Sequence, residues 1–305
     1  MKLSPITLGT AQMGSNYGIA NTLGKPDIPT ANLILKTAIK AGINTFDTAP
    51  DYGNSEEIIG KFLSENNIST ANIITKIPKI TASQNFTFIE FYNSIKMQVL
   101  NSMKKLNVKQ IPICLLHSAG DMKKFDGVIS KCLFKIKNEG LIKKIGVSVY
   151  EPSEIKEFLD IGVFDVIQLP INIFDLRLIK NQFLNELIEN NVIVFARSIF
   201  LQGLLFLEPN KLPLHLSLAS KYLKTLNEIS NNLGISIAEL AVTFVRDLPG
   251  IDSLVLGVES VDQLNHNRRL IQSPPMDDKT KEIILNEFSM IPDNLINPAL
   301  WKINR

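Results

Sequence analysis

Residues 44–65, NTFDTAPDYGNSEEIIGKFLSE, decide the fold. The first six, NTFDTA (44–49), read as a short strand, and 55–65 read as a helix with Ser55 placed to cap it. Between them lies a turn that carries Asp51, Tyr52 and Gly53. Strand, polar turn and helix make one βα unit, and the chain on either side repeats it. A strand signal and a helix signal alternate eight times.

Upstream, ITLGTA (6–11) reads as the first strand. A helix follows at 31–41, with Thr30 as its cap and Gly42 as its stop. Downstream, strands read at 72–77, 111–117, 143–149, 164–171, 192–198 and 253–258. The helices between them read at about 86–106, 125–138, 152–160, 178–190, 216–233, 236–247 and 261–270. Pro152 suits a first helical turn, where its missing N–H costs nothing. Several strands are unbroken Val, Ile and Leu runs, the pattern of strands buried on both faces of a parallel sheet. Eight such units in 305 residues favour a closed (β/α)8 TIM barrel over an open sheet, as one domain spanning 1–305. The tail after Pro275, with Trp301 near its end, reads as an extra helix and a loop. A doubly wound dinucleotide fold would want Gly-x-Gly-x-x-Gly after the first strand. The turn here, GTAQMGSNYG, has glycines at 9, 14 and 18 and does not match.

Composition narrows the function classes. The chain is 45% hydrophobic and 20% charged, with a net charge of +2, which is ordinary for a globular protein. Basic pairs such as Lys143–Lys144 and Arg268–Arg269 are too short for a nucleic-acid surface. No apolar stretch approaches the length that spans a bilayer, about 18 residues. The start, MKLSPITLGT, lacks the apolar region and cleavage site of a signal peptide. Cys114 and Cys132 fall in a strand and a helix and read as buried thiols, so a cytoplasmic protein is expected. The three histidines, His117, His215 and His266, have no metal-ligand spacing, and no metal site is expected.

Four polar side chains stand at or just past apolar runs: Asp47 and Tyr52 in FDTAPDYGNSEE, Lys76 in IITK, and His117 in CLLHS. Singly each has a plainer explanation, as a turn residue, packing, a solvated rim or a satisfied core group. Jointly they belong to the second, third and fourth strands, which are neighbours in a barrel. Hydride transfer to a carbonyl builds negative charge on oxygen, which an acid or a set of donors must meet. Tyr52 can be that acid. Lys76 within hydrogen-bond reach would lower its pKa, Asp47 would hold Lys76, and His117 would orient the carbonyl and donate to the oxyanion.

The Asp-Thr-Ala-x-x-Tyr-Gly wording of this segment resembles the aldo-keto reductase family. The resemblance covers nearly the whole chain and implies NAD(P)H-dependent reduction of an aldehyde or ketone. LGTAQMG is similar to the family's first strand and implies Gly9 and Thr10 near the nicotinamide, beside Asp47. GLIKKIGVSV and IQLPIN imply Ser148 and Gln168 on the carboxamide, with Asn172 a frequent family asparagine. Val149 stands where the family has the asparagine partner of that serine. RSIFLQGLL implies Ser198, Leu201 and Gly203 along the pyrophosphate. Arg197 replaces the family's stacking aromatic, and a guanidinium plane can also stack. LGVESVDQLNHN implies Gly257, Gln263 and Asn267 on the adenosine side. Glu259 there would repel a 2′-phosphate and accept from a ribose hydroxyl, while Arg268 and Arg269 could offset it. NADPH and NADH both stay open. The partner is a small carbonyl substrate, with a sugar-like one suggested by Asn16, Tyr17, Gln202, Asn294 and Trp301, and nothing sets an oligomeric state. Two rivals stand beside this one: an NAD(P)H-binding redox sensor with little turnover, and a barrel lyase or isomerase that leaves the Asp47–Tyr52 motif unexplained.

Overall fold

Unbroken apolar strands need cover on both faces, and the chain supplies it by closing its sheet. The computed structural model describes residues 1–19, 21, 23–81 and 86–301. Its strands are β1 (Ile6–Gly9), β2 (Thr45–Asp47), β3 (Asn72–Ile77), β4 (Ile111–Leu116), β5 (Ile142–Ser148), β6 (Val166–Pro170), β7 (Ile193–Arg197) and β8 (Ser253–Gly257). They pair in chain order, all parallel, and β1 closes on β8. The helices are α1 (Ala11–Gly14), α2 (Ile28–Lys40), α3 (Ser55–Glu65), α4 (Phe88–Leu106), α5 (Lys124–Asn138), α6 (Pro152–Ile161), α7 (Arg177–Lys180), α8 (Phe183–Glu189), α9 (Ala219–Leu233), α10 (Ile237–Arg246), α11 (Val261–Ile271), α12 (Asp278–Glu287) and α13 (Asp293–Ile296).

Alternation along the strands sorts side chains into two cores. Ile74, Ile113, Leu115, Val166 and Phe195 fill the barrel interior. Phe46, Ile73, Ile77, Cys114, Leu116 and Ile167 face the helices instead. The inward parity then runs on to the strand ends. Lys76 follows Ile74, His117 follows Leu115, Gln168 follows Val166 and Arg197 follows Phe195. Register carries the parity across the sheet: Gly9 pairs with both Asp47 and Gly257, and Ser148 pairs with Gln168. The last inward residues therefore meet at one mouth.

The structure moves several expected boundaries. Helix α2 starts earlier, capped by Asp27, whose carboxylate accepts from Thr30 N at 2.9 Å. Asn54, not Ser55, precedes α3. The Ser55 hydroxyl is drawn inward, donating to Thr10 Oγ1 at 2.7 Å and accepting from Thr48 Oγ1 at 3.1 Å. Instead of capping, it ties α3 to the ends of β1 and β2. The helix expected at 178–190 breaks into α7 and α8 around Gln182, which has φ +58°. A 3-10 turn, Leu214–Leu216, stands ahead of α9. Both cysteines are buried and free.

The tail does return toward the mouth. After α12 and α13, Asn297 Nδ2 donates to Glu151 Oε1 at 3.1 Å, just past β5. Trp301 is buried, and its indole N–H donates to Asn294 O at 3.0 Å. Among the described residues no helix is long and apolar enough to cross a membrane.

Barrel closure leaves one strand no room for a side chain. A Cβ on Gly146 of β5 would lie 2.0 Å from Val166 O on β6. Gly146→Ala should therefore destabilise the protein by about 1–3 kcal/mol, read as a lower urea midpoint. An unchanged midpoint would mean that the two strands sit farther apart.

Candidate active site

A cavity of about 430 Å³ opens at the carboxyl ends of the strands. Its floor holds a buried ion pair. Lys76 Nζ lies 2.8 Å from Asp47 Oδ1 and donates to Thr48 O at 2.9 Å. Gln168 Nε2, across the barrel, donates to the same Asp47 oxygen at 2.9 Å. The Lys76 side chain is wholly buried and Asp47 nearly so. Each charge offsets the desolvation of the other, and the added hydrogen bonds complete the pair.

Tyr52 sits above this pair on the β2–α3 turn. That turn rests on α1 at close range. A Cβ on Gly14 would lie 1.5 Å from Tyr52 O, and one on Gly53 2.3 Å from Gly14 O. Two glycines thus bring two backbones together and hold Tyr52 over the cavity, with φ +58° at Gly53. The Lys76 ammonium lies under the phenol ring, 4.8 Å from its centroid. Its hydrogen bonds go to Asp47 and Thr48. Burial and then the Asp47 carboxylate push the Tyr52 phenol above its ordinary pKa, while Arg197 pulls it down. This departs from the expectation that Lys76 lowers it: burial of the phenol is the larger effect, and the Lys76 ammonium lies under the ring with its hydrogen bonds going to Asp47 and Thr48.

His117 follows β4 and meets Tyr52 edge-on, with ring centroids 5.9 Å apart. Its Nδ1 lies 3.1 Å from Asp51 Oδ2. A neutral ring in that contact carries its proton on Nδ1 and leaves Nε2 an acceptor. Burial and then the Lys76 ammonium hold the imidazole below its ordinary range, and Asp51 opposes them. Donation from Nε2, as expected for an oxyanion partner, requires the protonated ring.

Most of the other expected residues reach the cavity. Gly9, Thr10, Ser148 and Gln168 line its floor, with Arg197, Ser198 and Gly203 on one wall. Gly257, Glu259, Gln263 and Asn267 line the far end. Thr10 has its hydroxyl engaged already, donating to Asp47 O at 2.8 Å and accepting from Ser55. The Leu201 side chain is fully buried in the hydrophobic core, so only its backbone is left for the pyrophosphate contact that the resemblance implies. Lys76 lies beneath the wall, behind Asp47. Asn172 is buried and acts as a brace, donating to Ser198 O at 3.1 Å and accepting from Phe174 N and Asp175 N.

The Ser198–Gly203 segment turns tightly, with positive φ at Ser198, Leu201, Gln202 and Gly203. The 12–29 connection crosses to it, where Ile19 N donates to Gln202 O at 3.1 Å. At the far end Glu259 and Gln263 lock each other: Glu259 N donates to Gln263 Oε1, and Gln263 Nε2 to Glu259 Oε2, both at 2.7 Å. Arg268 turns aside to Asn265 Oδ1 at 3.3 Å, and neither it nor Arg269 lines the cavity.

The sequence reading missed Gln12, Tyr150, Phe200, Phe206 and His266 on the walls, and Asp51 behind His117. Gln12 and Tyr150 stand one to three residues past a strand, a position that could have marked them. Tyr17 was singled out for substrate only, yet burial pushes its phenol up to about 12. The lining residues run from Tyr52 to Gly257, Gln263 and Asn267 and offer polar partners suited to an extended dinucleotide. Gly9 and Gly257 are glycines because of tight packing within the protein: Cβ atoms there would meet Gly257 N and the Gln12 side chain. Gln168 turns an amide to the floor, and a short turned backbone stretch flanks the middle. Among the described residues no three His, Cys, Asp or Glu side chains cluster as a metal site.

A parallel eight-stranded barrel with ionisable groups gathered at its carboxyl-terminal mouth has the frame of a barrel enzyme. A sequence model of the aldo/keto reductase family matches residues 5–284, and the chain belongs to that family. It is an NAD(P)H-dependent oxidoreductase of small-molecule carbonyl compounds. D-arabinose 1-dehydrogenase of Saccharomyces cerevisiae is 28% identical over 290 residues, 86% of this chain and 81% of that protein. NADH-specific methylglyoxal reductase of Escherichia coli is 30% identical over 182 residues, 55% of this chain and 56% of that one. The holo form of an aldo-keto reductase from Bacillus halodurans shares the fold, with TM-score 0.73, 22% identity, and 93% and 92% of the two chains covered. So does glycerol dehydrogenase of Gluconobacter oxydans, with TM-score 0.71, 24% identity, and 97% and 94% covered.

The environment of Tyr52 sets its titration. A free phenol is half ionised near pH 10. With its pKa raised, Tyr52 keeps its proton through that pH. The ultraviolet difference titration of wild type against Tyr52→Phe should show no phenolate from Tyr52 up to about pH 10. A phenolate appearing near neutrality would mean that Lys76 acts on the hydroxyl after all.

Proposed function

We propose that this protein reduces a hydroxylated, sugar-like aldehyde or ketone to the alcohol, with Tyr52 as proton donor. One observation carries the assignment: Tyr52 and His117 face a single cavity, with the Lys76–Asp47 pair packed beneath them. When bound, NAD(P)H supplies the hydride. Tyr52 keeps its proton at neutral pH and delivers it to the carbonyl oxygen as charge develops there. Lys76 and Asp47 hold a fixed dipole under the phenol, which needs no rearrangement during the reaction. His117 orients the substrate. Its Nε2 accepts from a hydroxyl beside the carbonyl. An acceptor at that point supports a hydroxylated substrate, as do relatives named for D-arabinose and L-galactose.

Ser148 and Gln168 would hold the carboxamide of the cofactor, Ser198 and Gly203 its pyrophosphate, and Gly257, Gln263 and Asn267 its adenosine end. Glu259, locked by Gln263 on that wall, supports NADH as the better ligand, since a carboxylate repels a 2′-phosphate. We read residues 1–305 as one cytoplasmic barrel domain.

Tyr52→Phe should lower turnover of para-nitrobenzaldehyde by about a hundred- to ten-thousandfold while cofactor still quenches protein fluorescence. Turnover at the wild-type rate would remove Tyr52 from the mechanism. Glu259→Arg should raise the affinity for NADPH relative to NADH, measured by fluorescence titration of each. An unchanged ratio would take Glu259 out of the cofactor site.

A further inference from the structure

Arg197 is a partly buried cation without a counter-ion. It ends β7 as the inward residue after Phe195 and lines the same cavity as Tyr52. Its guanidinium is held in place by neutral groups. Nη2 donates to Val149 O at 2.8 Å and Nη1 to Ser198 Oγ at 3.2 Å. The Tyr150 ring lies 4.1 Å from Cζ. Its Nε–H is buried and has no acceptor among the described residues.

Two of the three other half-buried arginines are neutralised, and the third, Arg268, lies outside the cavity and donates to Asn265 Oδ1. Arg177 pairs with Glu151 at 2.6 Å and Asp175 at 2.8 Å, and Arg246 pairs with Asp247 at 2.6 Å. Among the described residues no carboxylate lies within ion-pair distance of Arg197. The nearest cavity carboxylate by function, Asp47, already belongs to Lys76. A guanidinium drawn out of water without an anion is costly, and its planar fork matches the oxygens of a carboxylate or phosphate.

We propose that Arg197 receives an anionic substituent of the carbonyl substrate, a carboxylate or a phosphate. The proposal rests on the assignment of this cavity to carbonyl reduction. Two features place the anion at the catalytic end. The charge of Arg197 is felt at the Tyr52 and Tyr17 phenols, which it pulls toward ionisation. Its stacking partner, Tyr150, lines the cavity next to Ser148 on β5, on the floor that Asp47 and Gln168 share. The guanidinium has five N–H groups and spends two of them, on Val149 O and Ser198 Oγ, so it keeps donors for a carboxylate entering the cavity that it lines. Val149 assists by having no side-chain donor or acceptor to compete for the guanidinium, which its carbonyl, the Ser198 hydroxyl and the Tyr150 ring together direct.

The test compares two aldehydes of similar shape, para-carboxybenzaldehyde and para-nitrobenzaldehyde, in wild type, Arg197→Met and Arg197→Lys. Wild type should favour the carboxylate in kcat/KM. Arg197→Met should lower the carboxylate-to-nitro ratio by about ten- to a hundredfold, mainly through KM. Arg197→Lys should restore part of it. A ratio that Arg197→Met leaves unchanged overturns the proposal. NADH affinity is titrated in parallel by fluorescence without aldehyde. A loss confined to NADH affinity also overturns it and assigns the guanidinium to the cofactor's pyrophosphate. If wild type reduces neither aldehyde, the assignment to carbonyl reduction fails on its own. Calorimetric binding of para-carboxybenzoate then decides the anion site, which stands if binding is lost in Arg197→Met and falls if it is not.

Discussion

A lysine and an aspartate, 2.8 Å apart inside the barrel mouth, set the terms for everything around them. Burying either charge without the other would cost the full desolvation of an unpaired ion. Their meeting requires β2 and β3 to be adjacent and in one register, which the barrel delivers through Asp47 opposite Ile74. Gln168 reaches the same carboxylate from β6, so the pair also binds the two sides of the barrel together. Tyr52 has its position and its proton affinity from this pair: the ammonium lies beneath its ring, and the carboxylate discourages its ionisation.

The same mouth holds two cations with opposite histories. Lys76 is fully compensated, so the floor beneath Tyr52 is a fixed dipole with no net charge. Arg197 is held by carbonyl, hydroxyl and ring, which fix its direction without reducing its charge. The result is a cavity that is neutral where the proton moves and positive to one side of it. The far end has the reverse sign, with Glu259 held rigid by Gln263. An extended ligand entering this cavity therefore meets a polarity along its length.

Much of this was legible before any coordinates. Eight strands and the helices between them follow from unbroken apolar runs, turn residues and helix stops, all local signals. Boundaries slipped where a distant partner outbid a local preference. Ser55 has the chemistry of a cap, yet Thr10 and Thr48 claim its hydroxyl. Thr30 could cap α2, but Asp27 lies a turn earlier and binds its N–H. Leu201 shares a motif with residues on the cavity wall, but its backbone turn sends the side chain into the core. Lys76 was expected to lower the Tyr52 pKa, but burial of the phenol, and then the Asp47 carboxylate, push it up.

By itself the sequence determined the barrel and the identity of the polar side chains at its strand ends. Apolar continuity and a two-residue period are properties of neighbours along the chain. Only the tertiary structure decided which of those side chains neutralise one another and which are left over. Asp51 against His117, Gly14 against Tyr52, and Arg197 without a carboxylate all depend on contacts between different βα units. Electrostatic balance at a buried site is a sum over such contacts, and no stretch of sequence contains all of its terms.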